Sequence, residues 1–176
     1  MVVLGNKSSK YLSDIPDFKY ALDTVYEYRG MNLKVVVNKN FESGQFSSLQ
    51  AGIRGLFDGK DSACFLSTVD TPLGGPEAYR SLETNISEFP NLQAVVPEVQ
   101  GKGGHPILLS RTFALSLLSL DPWAETSRLD SILRMAPWEK VRRVPVGDPL
   151  ITLNINTPED WRTFVASCEK KPRPFS

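Results

Sequence analysis

Residues 63–72 read Ala-Cys-Phe-Leu-Ser-Thr-Val-Asp-Thr-Pro. An apolar run closes on one carboxylate, Asp70, and Pro72 stops it. A strand covered on both faces reads as a near-continuous apolar run. Open α/β sheets place their ligands at the carboxyl ends of such strands. The stretch therefore predicts a buried strand that delivers Asp70 to a binding edge. A hard carboxylate there suits Mg²⁺, which takes one or two carboxylates together with phosphate oxygens. The same residues are also ordinary turn chemistry, with Asp70 capping the turn at Thr71-Pro72.

Upstream, Lys34 to Val37 predicts a strand rich in β-branched residues, and Asn38 to Phe46 a polar loop. Ser47 or Ser48 is placed to cap a helix carrying Leu49, Ile53, Leu56 and Phe57 on one side, closed by Asp58-Gly59. Val2 to Leu4 predicts a short strand. Phe18, Ala21, Leu22, Val25 and Tyr26 fall at the spacing of one helix face, ended at Gly30. Downstream, Pro76 starts a helix with Tyr79, Leu82 and Ile86 inside. Ala94 to Pro97 predicts a strand and Gln100 to Pro106 a mobile turn. Ile107 to Leu109 is a short apolar segment, followed by helices over Phe113–Leu120 and Arg128–Leu133. Val141 to Val146 and Leu150 to Ile155 predict strands. Thr157-Pro158-Glu159-Asp160 is a helix start, with acids at the positive end of the dipole and Trp161, Phe164, Val165 and Cys168 as the buried face. Strands alternating with helices predict an α/β architecture with a mostly parallel sheet. One domain over residues 1–168 and a charged tail over 169–176 are expected.

The composition is that of a soluble globular protein, with 41% hydrophobic and 23% charged residues. Twenty basic residues balance twenty acidic ones, so no global field draws the chain to nucleic acid or to an acidic membrane. Cys64 and Cys168 form no CxxC pair and read as small buried hydrophobes in a reducing compartment. No apolar segment approaches the roughly 20 residues of a membrane span, and the N-terminus lacks a signal-peptide pattern. A cytoplasmic location is the expectation.

Asn154 and Asn156 flank Ile155, and a period of two points both to one face. An Asn oxygen can complete a Mg²⁺ shell. Asn156 also leads into the helix cap, whereas Asn154 has no such local task. Gly44-Gln45-Phe46-Ser47-Ser48-Leu49 opens a helix, whose free N–H groups and hydroxyls can bind an anion or a base edge. His105 is the only histidine, and Gly103 and Gly104 beside it allow close backbone approach to a ligand. Arg142-Arg143 and Lys170-Lys171 read as solvated surface. No GxxxxGK[ST], HExxH or GxSxG motif is present, and a lone His makes a hydrolytic triad improbable.

Taken in order, several stretches resemble the molybdenum-cofactor nucleotidyltransferase family, MobA-like NTP transferases, and particularly its cytidylyltransferase branch. They are Val35-Val36-Val37-Asn38, the run from Glu42 to Gly52, Val69-Asp-Thr-Pro72, Gly104-His-Pro106, Val144-Pro-Val146 with Asp148-Pro149, and Asn154-Ile-Asn-Thr-Pro-Glu-Asp160. The resemblance implies a Rossmann-like, mostly parallel sheet with helices on both faces, of the nucleotide-diphospho-sugar transferase type. It implies transfer of a nucleoside monophosphate from CTP or another NTP to a phosphorylated pterin-type acceptor, with pyrophosphate released. Asp70 and Asn154 would be the catalytic pair and, with Asn156, the Mg²⁺ ligands. Gly44, Gln45, Ser47, Ser48 and Leu49 would hold the base and ribose, and Gly104, His105 and Pro106 would border the acceptor. Relatives more often carry Asp-Gln-Pro and Asp-x-Asp where this chain has Asp-Thr-Pro and Asn-Ile-Asn, which lowers the negative charge available to a cation.

The family opens with a strand and a Gly-rich loop that cradles the triphosphate. Aligning Val2 to Gly5 with the family's second strand leaves that first strand and loop without a counterpart. The other alignment makes Gly5-Asn-Lys-Ser-Ser-Lys10 a degenerate copy, with Lys7 or Lys10 as the basic group. Loss of an interior strand exposes two edges, and unpaired buried backbone is costly. The sheet is then expected to close up, to be completed by another chain in an oligomer, or to belong to a shortened form. The rival expectation is a catalytically inactive relative that binds nucleotide or a partner.

Overall fold

The structure is a computed structural model describing residues 1–57 and 61–169. It divides into two compact units, Met1–Ser62 with Arg111–Ala136 and Ala63–Ser110 with Pro137–Ser176. The class is α/β, with parallel and antiparallel pairings both present.

In the first unit, β1 (Val2–Leu4) pairs parallel with β4 (Val35–Val37), Val2 opposite Val35. Leu4, Ala21 and Val35 form the buried centre, with Leu12, Phe18 and Tyr26 packed around it. The helical spacing over 18–26 resolves differently from expectation. α1 (Ser8–Asp14) and α2 (Pro16–Tyr20) end before it is complete, and Tyr26–Tyr28 and Met31–Leu33 form an antiparallel hairpin, β2–β3. Arg29 at φ 50° and Gly30 at φ 77° make its two-residue turn. Positive φ at both central residues matches the strand twist, so Gly30 turns a hairpin rather than ending a helix. α3 (Gln45–Leu56) begins at Gly44, φ 82°, which puts Ser47 and Ser48 inside its first turn rather than at its cap. The expected closure at Asp58-Gly59 lies outside the described residues. α5 (Arg111–Ser116), a 3₁₀ turn at Leu117–Ser119 and α6 (Leu129–Met135) complete this unit. Gln50 is buried and donates its amide to the carbonyls of Leu117 at 2.9 Å and Leu120 at 2.8 Å, tying α3 to that turn.

In the second unit, β5 (Ala63–Leu66), β8 (Ile107–Ser110) and β6 (Ala94–Val99) are neighbours in that order. β8 is antiparallel to both of the others. β9 (Val141–Pro145) runs parallel to β6. α4 (Pro76–Glu88) starts at the expected proline and packs on β6 and β8. Its Leu82 is buried with Leu92, Val95, Leu108 and Val144. β5 is half-buried rather than covered on both faces, and among the described residues its only strand partner is β8. Gln100 (φ 51°) and Gly101 (φ 79°) turn β6 into β7 (Lys102–Gly103), so the expected mobile turn is a hairpin.

Leu150 to Ile155 is not a strand. Asp148 caps a 3₁₀ turn over Pro149–Thr152, and the chain then runs extended without pairing to α7 (Pro158–Glu169). Thr157 Oγ1 accepts from Asp160 N at 3.1 Å, the predicted cap. The predicted apolar face of α7 is not buried: Trp161 is 55% exposed, Phe164 and Val165 are half-buried and Cys168 is exposed. Cys64 is partly buried, and that burial pushes its thiol up to about 11. Among the described residues, no helix is long and apolar enough to cross a membrane.

Candidate active site

The pairing directions decide where the loops emerge. β5 and β6 are each antiparallel to β8, and β9 is parallel to β6, so β5, β6 and β9 share one direction. Their carboxyl ends therefore lie along one edge of the sheet. The segments that follow them carry Asp70, His105 and Asn154 respectively.

Backbone bonds hold these three segments together. Ile155 N donates to Asp70 O at 2.7 Å, and His105 N donates to Ile151 O at 2.8 Å. Thr71, 5% exposed, approaches Asn154 Oδ1 through its Oγ1 at 3.4 Å and lies 3.1 Å from Thr68 Oγ1. The segments that carry Asp70 and Asn154, from distant parts of the chain, are thereby joined. Asn154 and Asn156 are exposed and Ile155 is half-buried, the alternation that the sequence predicted. The backbone N–H of Asn156 donates to Asp160 Oδ2 at 3.0 Å, so this residue does lead into the α7 cap. Thr157 N donates to the same oxygen at 2.8 Å, and the Thr157 side chain first, then these two backbone donors, hold the Asp160 carboxyl below its ordinary value.

Gly104 is where side-chain-free backbone is required. A Cβ there would lie 2.7 Å from Ile151 C and 2.8 Å from Ile151 Cδ1, and would overlap the Ile151 carbonyl oxygen. His105 Nδ1 lies 3.3 Å from Leu66 O. A carbonyl only accepts, so in this contact Nδ1 is the donor. His105 and Pro106 are joined by a cis bond. Val69 and Leu73, on either side of the Asp70 turn, are exposed apolar side chains.

The donor set fits a divalent cation shared with phosphate. Among the described residues none donates a hydrogen bond to the Asp70 carboxylate, and Asn154 Oδ1 accepts only one long bond. Among those residues, too, no group of three His, Cys, Asp or Glu could enclose a metal by itself. One carboxylate and one amide oxygen leave most of an octahedral shell to phosphate oxygens and water, the way Mg²⁺ is usually held.

Residues 44–49 belong to the first unit. Gly44 and Gln45 are exposed, Ser48 and Leu49 are half-buried, and Ser47 is buried. Ser47 Oγ accepts from Asn38 Nδ2 at 2.8 Å and lies within hydrogen-bond distance of Gly44 O and Asn40 O. Its hydroxyl is turned into the loop, and at the start of α3 the N–H groups of Gly44 and Ser47 donate to Phe41 O at 3.1 Å and Gly44 O at 3.2 Å. Asn38, which also donates to Ser48 Oγ at 3.0 Å, organises this loop. Lys10 pairs with Asp14 at 2.9 Å on the surface, and Lys7 takes φ 59° before α1. Arg142 stacks on Phe89 at 3.9 Å and Arg143 approaches Glu98 at 3.6 Å, so neither is simply solvated.

Asp148 was not singled out from sequence as a working residue. Its Oδ2 accepts from Gly75 N at 2.7 Å and its Oδ1 from Leu150 N at 3.1 Å. An Asp before Pro at a helix start was the available signal.

The model of the MobA-like NTP transferase domain matches residues 16–143. The chain belongs to this family. A homologue of Mycobacterium tuberculosis Rv0371c from Mycobacterium sp. strain JC1 has a similar fold, with a TM-score of 0.64 and 22% identity over 96% of this chain and 75% of that one. Rv0371c from M. tuberculosis H37Rv, solved in complex with manganese, superposes with a TM-score of 0.62 at 19% identity, covering 94% of this chain and 77% of that one. Molybdopterin-guanine dinucleotide biosynthesis protein A from Archaeoglobus fulgidus gives 0.56 at 18% identity, covering 96% and 79%. No curated protein sequence matches the chain. At these identities the structures establish the fold, and the family match establishes an NTP transferase domain.

Proposed function

We propose that this chain is a divalent-metal-dependent nucleotidyltransferase that moves a nucleoside monophosphate from an NTP, with CTP favoured, onto a phosphorylated acceptor of pterin type. The observation that carries the reading is the junction of Asp70 and Asn154 through the Ile155–Asp70 and Thr71–Asn154 contacts. The family match and the manganese complex of a structural neighbour support it.

In this reading an acceptor phosphate oxygen forms a bond to the α-phosphorus, the bond to the β-phosphate breaks, and pyrophosphate leaves with its electron pair. A cation, Mg²⁺ or Mn²⁺, supplies charge neutralisation on the phosphates when bound. Asp70 and Asn154 would hold it, with Asn156 on the same face. Gly44, Gln45, Ser47, Ser48 and Leu49 would border the base and ribose of the nucleotide. Gly104, His105 and Pro106 border the acceptor.

Isothermal calorimetry with CTP and with GTP, each with Mg²⁺ and with EDTA, tests the reading. Micromolar binding that needs the metal, and loses its metal dependence in Asp70→Asn, supports it. Absence of binding at millimolar nucleotide refutes it and leaves the domain as a non-catalytic relative.

A further inference from the structure

We propose that Asp148 is a positioning residue, whose carboxylate sets the spacing between the Asp70 and Asn154 segments and so the geometry of the cation site. This rests on the reading of Asp70 and Asn154 as ligands. Gly75 lies five residues after Asp70 and Leu150 four residues before Asn154. One carboxylate bonds both amides, Oδ2 to Gly75 N at 2.7 Å and Oδ1 to Leu150 N at 3.1 Å. The two segments are thus tied twice, by Asp148 and by Ile155 N to Asp70 O.

The packing between the ties leaves little slack. A Cβ at Gly74 would come within 2.8 Å of Ile151 Cγ2 and 3.6 Å of Asp148 Oδ2. Asp148 also caps the 3₁₀ turn through Leu150 and accepts from Gly75, the residue that precedes α4. Both amides would lose their acceptor without it, and each is a donor that needs one. Asn cannot replace Asp, since one of the two oxygens becomes an NH₂ group facing an N–H. Groups that orient ligands from behind typically change metal affinity by about 10–100-fold when removed.

The test uses Mn²⁺ with CTP and with GTP as probes, read by calorimetry on the full chain. Two variants break the tie to different extents. Asp148→Asn turns one of the two acceptor oxygens into an NH₂ group, and Asp148→Ala removes both. Both are expected to weaken Mn²⁺–nucleotide binding by about 10-fold or more. Raising Mn²⁺ should restore binding, which a purely structural loss would not allow. In an Asp70→Asn background, Asp148→Asn should bring no further loss, because it acts through Asp70.

Wild-type affinity in both variants overturns the role of Asp148 and leaves the ligand reading intact. A loss that added Mn²⁺ does not repair, or that adds fully to Asp70→Asn, makes Asp148 structural and overturns the proposal. Absence of metal–nucleotide binding by the wild-type chain refutes the ligand reading and this inference with it.

Discussion

Replacing Gly104 by alanine tests the packing of the three site loops. The added Cβ would stand 2.7 Å from Ile151 C and 2.8 Å from Ile151 Cδ1, at least about 0.7 Å inside the carbon–carbon optimum. The nearer obstacle is backbone, which cannot rotate aside as a side-chain tip can. The 104–106 loop must therefore move off Ile151 and give up the 2.8 Å bond from His105 N. Overpacking of this kind costs about 1–3 kcal/mol, and the hydrogen bond about 1 kcal/mol more. For a chain of 176 residues, 2–4 kcal/mol corresponds to a fall in Tm of roughly 5–15 °C. Thermal unfolding followed by circular dichroism reads this directly. Gly147→Ala is the control, since a Cβ there meets nothing within 4 Å, and its Tm should hold or rise slightly. A Gly104→Ala protein that melts with the wild type refutes the close approach and the preorganised site built on it.

Three further outcomes are expected. At pH 8 a thiol reagent should label Cys168, which is exposed, well before Cys64, whose burial raises its pKa to about 11 and keeps it protonated; equal rates would contradict this. The Asp160 carboxyl lies below its ordinary range in the folded chain, so its support of α7 is complete above that range and is lost as pH falls through the lowered value. Amide exchange in the first turn of α7 should show an acid step that Asp160→Asn abolishes, and a step surviving in that variant would assign it elsewhere. Gln50→Leu strands two carbonyls beside α3 and should cost about 1–3 kcal/mol in urea unfolding, whereas an unchanged midpoint would mean that water serves Leu117 and Leu120 equally well.

The placement of the candidate residues was more legible in the sequence than their supports. Asp70 could be read because an apolar run ended on it, and Asn154 because alternation with Ile155 separates the two faces of an extended chain. The antiparallel course of β8 was not legible, since a four-residue apolar segment carries no sign of direction. Both hairpins escaped notice because Arg29-Gly30 and Gln100-Gly101 lack the Asn-Gly or Asp-Gly pairs that advertise such turns. Phe18 to Tyr26 mimicked a helix because Ala21 and Tyr26 face the same core from different elements. Leu150 to Ile155 looked like a strand by its apolar content, but Asp148 and Pro149 impose a capped turn first. The half-exposed face of α7 shows the limit of periodicity, which states that a helix has an apolar side and not that anything covers it.

The most direct test of the central claim is ¹⁵N NMR of the chain with CTP and substoichiometric Mn²⁺. If Asp70 and Asn154 hold one cation, signals of the Asn154 side-chain amide and of the Thr71 and Ile155 backbone amides broaden first and together, and Asp70→Asn abolishes the effect. Broadening that spares these three groups, or that persists unchanged in Asp70→Asn, contradicts the account.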